Sequence, residues 1–311
     1  MAANSTFPAV PGYKSLGAGT IPKEYSPKLE DKFYQKCILP YIANTDHEDE
    51  IREQGDKVYI RKIPTVNTFY YTKGMKIDYQ RPNVDSTELI IDKGVGWACA
   101  IDRVEQWQTD IDYFDVWADD ASHQTKIKVE LDIFTNIPAM VDPLNQGLTA
   151  GNISHDINLG ALNTPIQITK NNVLDYILDS GTVCDEYNLP QTGRWLIIPA
   201  WMAAMCKKSD LAKVFVTGDS ISPLRNGHIG NIDTFEVYVS NLLSTVTDPT
   251  THTTCFNVMF GHKSGLTFAG QSINMEMLLG ESSYGTLVRG LQIYGYNVIK
   301  PDALGLMYVT R

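Results

Sequence analysis

Basic charge is scarce in this chain. Its 311 residues carry 26 Lys and Arg against 36 Asp and Glu, for a net charge of -10 and a pI near 5.0. Neutralising nucleic-acid phosphates takes clustered Lys and Arg, so this balance excludes a general nucleic-acid-binding surface. Cysteine is sparse too. The five, at positions 37, 99, 184, 206 and 255, are odd in number and form no CxxC pair. That excludes a disulfide framework and a zinc site, and it fits buried free thiols in a reducing compartment. No apolar run reaches the ~18 residues that a membrane-spanning helix needs. The N-terminus MAANSTFPAV lacks a basic n-region and an apolar h-region, so it does not read as a signal peptide.

Chemical motifs are missing as well. The six His (47, 123, 155, 228, 252, 262) show neither HExxH nor HxH spacing, which argues against metal ligation. There is no GxxxxGK[ST], and residues 147–151 lack the flanking strand and helix of a dinucleotide loop. Gly218-Asp-Ser220 matches the nucleophile motif of GDS-type esterases, but that family's base comes in a DxxH, and here Asp248 and His252 stand four apart. A polar turn after the apolar residues 214–216 is the simpler reading. The chain is therefore read as having no catalytic residue, no metal and no cofactor.

What is present is enough for a sizeable core. Hydrophobic residues make up 43% and aromatics 10%, sufficient for one large domain or two ordinary ones. The organising stretch is 102–137. Asp102 and Glu105 have capping-box spacing, and Val104, Trp107, Ile111, Phe114, Ala118 and Ala121 follow at gaps of three and four. No Gly or Pro interrupts until Pro138. A helix over the whole stretch would be about 54 Å long and would need other elements or other subunits laid along it. Its second half fits two periods, because Ile127, Val129, Leu131 and Ile133 alternate as a strand would. Helix is the favoured reading there.

In chain order, residues 1–24 read as an extended arm rich in Ala, Pro, Gly, Ser and Thr. Residues 25–54 hold a short helix, over 27–42, and a charged turn. Residues 55–101 are an extended β-loop with β-rich runs at 58–60, 65–71, 75–79, 89–91 and 97–101, punctuated by Lys73-Gly74, Arg81-Pro82-Asn83 and Lys93-Gly94. Its middle, 62–82, has few aliphatics with which to close a core. It reads as either a sheet edge or, in preference, an arm that docks on a neighbouring subunit. The long helix then occupies 102–141. Residues 142–290 form a mixed region with a helix at 172–187, a buried strand at 194–198, a helix after Pro199 and strands at 214–216, 235–240 and 256–260. Closing strands fill 291–311, at 291–299 and 307–310. The class is α+β.

Charge is placed unevenly. Lys57, Arg61, Lys62, Lys73, Lys76 and Arg81 stand against Asp78 alone in 57–81. Asp102, Glu105, Asp110, Asp112, Asp115, Asp119 and Asp120 stand against Arg103 in 102–120. A basic arm thus precedes an acidic rod, and between copies the arm of one could lie across the rod of the next.

The order of elements resembles the major capsid proteins of tailed bacteriophages, with their Hong Kong 97-type fold. Residues 50–60 (EIREQGDKVYI) are similar to the run entering that family's extended loop. Residues 89–92 (LIID) and 101–105 (IDRVE) resemble its exit into the spine helix. Residues 227–241 (GHIGNIDTFEVYVSN) resemble a common strand of the axial domain, and 294–301 (YGYNVIKP) the closing strand. Thr234 stands where the pattern often has Gly.

The resemblance implies an icosahedral shell of hexamers and pentamers that encloses double-stranded DNA without sequence-specific binding. It implies separate scaffolding and portal proteins, the short arm leaving no room for a fused scaffold domain, and no membrane. The virion would be the final location and the bacterial cytoplasm the place of assembly. The axial domain would gather at the five- and six-fold axes. The inter-subunit residues expected are Arg61, Lys62, Tyr70, Tyr71, Lys73, Lys76 and Arg81 on the loop, and Asp102, Glu105, Trp107, Asp112 and Asp115 on the spine helix. The alternatives are an encapsulin-like compartment shell and, from another class, a GDS-type esterase.

Overall fold

The computed structural model describes residues 34–35, 37–46, 57–102, 113–209, 230–279 and 284–311. Its strands are β1 (Lys57–Arg61), β2 (Ser86–Ile90), β3 (Lys93–Asp102), β4 (Ile166–Gln167), β5 (Arg194–Ile198), β6 (Asn231–Ile232), β7 (Phe235–Val239), β8 (Thr245–Thr247), β9 (Thr254–His262), β10 (Leu266–Leu279), β11 (Gly285–Val298) and β12 (Leu304–Thr310). They form a two-stranded β1-β2 sheet, a three-stranded sheet in the order β10-β11-β3, and a seven-stranded sheet. The last runs β4-β12-β9-β5-β7-β6, with β8 paired to β9. The mixture of helix and sheet is α+β, as expected.

The seven-stranded sheet has a core on each face because its central strands carry apolar residues on both sides of the pleat. In β5, Trp195 and Ile197 point into one core, while Leu196 and Ile198 point into the other. That is the two-residue period of a pleated strand. Met259 of β9 joins the first core, and Val258 and Phe260 the second. The second core is closed by helix Val173–Glu186, through Ile177 and Val183, and by helix Ala200–Lys208, through Met202 and Cys206. Both helices stand where the periodicity places them. Pro199 caps the latter at φ -72, where its missing N–H costs nothing.

The first core takes the long helix, Tyr113–Asn136, which ends in a 3-10 turn at Ile137–Met140 where Pro138 withholds its donor. The second half of the stretch is therefore helix and not strand. Thr125, Val129, Glu130, Ile133, Phe134 and Ile137 are buried, at spacings of one, three and four, whereas Leu131 is exposed. At 24 residues this described helix is about 36 Å long.

Asp102 is the last residue of β3, paired with Gly285 of β11, so the strand reaches the residue read as the cap of the helix. A capping residue has extended backbone, so this pairing is compatible with a helix that begins after it. Residues 103–112, with Val104, Glu105, Trp107, Ile111 and Asp112, lie outside the described residues, as does the strand expected at 214–216.

The helix expected over 27–42 is confined, among the described residues, to Leu39–Ile42 with Pro40 in its first turn. The amides of Ile38 and Leu39 are taken by the Glu130 carboxylate, which fastens the strap of residues 37–44 to the long helix. Ile38, Leu39 and Ile42 then join the first core.

Candidate assembly surfaces

The extended loop is anchored at its base. Strands β1 and β2 pair antiparallel, Val58 with Leu89, and Leu89 is fully buried against Ala269 with Val58, Ile60 and Ile91 around it. The Asn297 side-chain amide donates to the Glu88 carbonyl at 2.6 Å. Gly295 of β11 permits this docking, since any side chain there would strike the Ile90 carbonyl.

Beyond that base, residues 62–85 leave the body of the chain. Lys62 N–H donates to the Asp85 carbonyl at 2.8 Å, and Asn67 and Gln80 exchange two hydrogen bonds, the Asn67 N–H to Gln80 Oε1 and Gln80 Nε2 to the Asn67 carbonyl. The reversal is a turn, with Met75 N–H donating to the Thr72 carbonyl and Gly74 at φ +88. The runs 65–71 and 75–79 are not strands, contrary to the sequence expectation. Their β-branched and aromatic residues favour extended backbone, but a ribbon of two strands without a covering face is marginal in water.

Every one of the seven expected loop residues is exposed. Arg61 ends β1, and Lys62, Tyr70, Tyr71, Lys73, Lys76 and Arg81 follow on the loop. None of their cations forms an ion pair among the described residues, whereas nearby Lys57 pairs with Glu88 at 3.3 Å. Large apolar side chains share that exposure. Ile63, Tyr70 and Tyr79 are 96%, 99% and 93% exposed. Such a strip is unusual on a chain meant to stand alone.

Of the spine residues, Asp102 is exposed at the end of β3, and Asp115 lies within the described helix. Glu105, Trp107 and Asp112 lie outside the described residues. What holds the helix to the β10-β11-β3 sheet is a polar network. Lys93 Nζ lies 3.1 Å from Asp132 Oδ2 and 4.8 Å above the Tyr296 ring. Tyr294 donates its hydroxyl to the same carboxylate at 3.1 Å, and Asn136 Nδ2 donates to the Tyr296 hydroxyl at 2.9 Å. Burial, with the Asp132 charge beside it, pushes the Tyr294 phenol up to about 12. Farther along, Trp97 lies across Gly290, where a Cβ would stand 2.6 Å from the indole nitrogen.

A second exposed apolar surface was not anticipated. The far end of the β10–β11 hairpin presents Met275, Met277, Leu279 and Tyr284, with Glu276 and Arg289 paired across the strands at 2.6 Å. Two runs of alternating side chains flanking residues 280–284 were the available signal.

The esterase reading finds no support. Gly218 and Ser220 lie outside the described residues. Asp248 is buried and occupied, accepting from the N–H groups of Asn163, Thr250 and Thr251 and from the Thr251 hydroxyl. It shapes a turn, with both carboxylate oxygens already accepting from backbone N–H groups. Among the described residues no three His, Cys, Asp or Glu are grouped to hold a metal ion. No described helix is long and apolar enough to cross a membrane.

No protein-family model matches the chain, and no curated protein matches it. Solved structures do. A chain from Mycobacterium phage Che8 matches with a TM-score of 0.74 at 20% identity, over 93% of this chain and 97% of that one. One from the capsid of the cyanophage P-SCSP1u matches at 0.71 and 14% identity, over 94% of each chain. Another, from the capsid of Ralstonia phage GP4, matches at 0.68 and 11%, over 96% of this chain and 98% of that one. The fold is that of phage capsid chains. The resemblance read from short, separate stretches thus extends over nearly the whole chain. In this capsid-type fold the departure at Thr234 is also accounted for. Asp233 takes the left-handed conformation at φ +54, and the Thr234 hydroxyl accepts from buried Arg194 at 3.1 Å.

Proposed function

We propose that this chain is a major capsid protein that self-assembles into the icosahedral head of a tailed bacteriophage and encloses its double-stranded DNA. The observation that carries the reading is the match to phage capsid chains over nearly all of both partners, for instance 94% and 94% with the cyanophage capsid. The role is structural. Hexamers and pentamers build the shell, with separate scaffolding and portal proteins, in the bacterial cytoplasm. The net charge of -10 suits a container that must let DNA move in and out, because a surface that neutralised phosphates would hold it.

Within that reading the extended loop is the inter-subunit element. Its exposed Tyr70, Tyr71 and Ile63 supply apolar area, and Lys62, Lys73, Lys76 and Arg81 supply charge. Both would cover a neighbouring copy and its acidic spine segment, the stretch that holds Asp112 and Asp115 in sequence.

Negative-stain microscopy of the purified full chain, alone or with a scaffold, tests the proposal. Closed particles tens of nanometres across are expected. A protein that stays monomeric in every condition and turns over simple esters would overturn it, and loss of that turnover in Ser220→Ala would install the esterase in its place. Particles that co-purify with an enzyme and no DNA would point to an encapsulin-like compartment.

A further inference from the structure

Two carboxylates among the described residues are fully buried, Glu130 and Asp248. They differ in how well they are satisfied. Asp248 receives donors on both oxygens. Glu130 receives them on one only. Its Oε2 accepts from the Ile38 N–H at 2.8 Å and the Leu39 N–H at 3.2 Å, while Oε1 is buried with no partner. No Lys, Arg or His forms an ion pair with it among the described residues. The residues flanking it on the strap and on its own helix, Ile38, Leu39 and Ile42 and Val129, Ile133 and Phe134, belong to the first core. The titratable group facing it from the strap is the half-buried Cys37 thiol. From its own helix, Lys126 acts on that thiol one turn earlier. No titratable group of the sheet acts on it among the described residues.

The strap that Glu130 grips is fastened at two other places. Upstream, the Tyr34 ring stacks on His123 at 4.3 Å and its hydroxyl donates to Asp120 at 2.9 Å, both at the helix surface. Downstream, Asn44 bridges to the start of β10, its N–H to the Leu266 carbonyl and its carbonyl to the Phe268 N–H. Glu130 is the only buried polar fastening between them among the described residues.

We propose that Glu130 is a proton-operated latch: with a proton on Oε1 it holds the strap of residues 37–44 firmly to the spine helix, and ionised it holds that strap weakly. The geometry assigns the proton its place. Oε1 has no donor to lose, and Oε2 remains a carbonyl-type acceptor for both amides. An ionised form keeps the two amide hydrogen bonds and the weak one from the Cys37 thiol but leaves a buried charge with no counter-ion, which is strongly unfavourable. Burial accordingly raises the Glu130 carboxyl above its ordinary 4.5, with the two amides and Cys37 pulling only partly the other way. The folded pKa lies above the unfolded one, so the stabilisation is fully present below pH 4.5 and is lost as pH rises through the folded value. The latch concerns the folded chain itself and stands whether or not the chain forms shells.

Peptide-resolved hydrogen exchange on the full chain tests it, from pH 4.5 upward into the neutral range, with each rate corrected for intrinsic amide chemistry. Protection of the 37–42 peptide should fall as pH rises, by about tenfold for each pH unit between the ordinary and the displaced carboxyl values, and then level off. Helix Val173–Glu186, in the other core, should not follow it. Glu130→Gln retains an acceptor for both amides and cannot ionise, so its strap should stay protected across the range. Strap protection that is flat with pH in the wild type overturns the latch, and so does a pH dependence that survives unchanged in Glu130→Gln. Should Glu130→Gln fail to fold, the wild-type strap against the Val173–Glu186 helix still decides, because equal responses in both would contradict a local latch.

Discussion

The seven-stranded sheet and the extended loop are drawn from similar residues and meet opposite fates. Trp195, Ile197 and Met259 in the sheet are at most 1% exposed, whereas Ile63, Tyr70 and Tyr79 in the loop are more than 90% exposed. The difference lies in partners. Strand β5 has β7 and β9 beside it and a core on each face, so every apolar side chain it carries is covered. The loop has its own cross-links, between Lys62 and Asp85 and between Asn67 and Gln80, and no face to pack on. Apolar area that the folded chain does not cover has no part in holding that chain together, and the proposed function assigns it to contacts between chains.

The largest expected effect lies on the sheet side. Trp195→Ala should cost about 3–5 kcal/mol, a large share of the ~5–15 kcal/mol of an ordinary domain. Tyr70→Ala, at the loop, should stay within about 0.5 kcal/mol. Denaturant titration of the two variants checks the contrast, and similar losses at both sites would break it. Next in size is the assembly phenotype of charge reversal on the loop. Lys73→Glu with Lys76→Glu should block or greatly slow particle formation, read by light scattering, while the melting temperature stays put. Each exposed pair is worth only about 0–1 kcal/mol, but a closed shell repeats it at every subunit. Assembly of the wild type should also slow in 1 M salt, where screening acts over about 3 Å. Kinetics indifferent to both would assign docking to the Tyr and Ile side chains alone.

The smallest effect sharpens the body side of the comparison. Burial alone would raise the Asp248 carboxyl, but the N–H groups of Thr251, Asn163 and Thr250 and the Thr251 hydroxyl hold it below its ordinary 3.8. Its contribution is therefore present above pH 3.8 and lost as pH falls through the lower folded value. Amide exchange at Thr250 and Thr251 should rise in acid. Asp248→Asn should show no such acid step.

These contrasts also mark what could be read from residues alone. β5 was legible because a strand buried on both faces is a nearly continuous apolar run between turn residues, β7 and β9 because aromatic and β-branched residues crowd them, and helix Val173–Glu186 because its period is clean. The loop's exposure was legible from the lack of aliphatics in 62–82. Its lack of regular strands was not, because β-propensity marks what extended backbone tolerates and not whether a partner is present. That β3 runs as far as Asp102 was not legible, because its pairing with Gly285 spans most of the chain and leaves no local trace. β10 was missed for a related reason, since its partner β11 must be known before its run reads as a hairpin. Glu130 had a trace that went unused: an acid among Val129, Ile133 and Phe134 on the buried face of a helix. Of the expected site residues, the loop set could be picked out by composition. The spine set rested on charge alone, and charge does not say which side of a helix faces a neighbour.

The account stands or falls on whether the loop belongs to assembly and not to folding. Replacing residues 62–85 by a short Gly/Ser linker and measuring sedimentation velocity and thermal unfolding on the same sample tests this directly. The account predicts a folded, soluble species with the wild-type melting temperature and no particles, under conditions where the unaltered chain forms them. A replaced chain that unfolds, or one that still closes into normal particles, would contradict it.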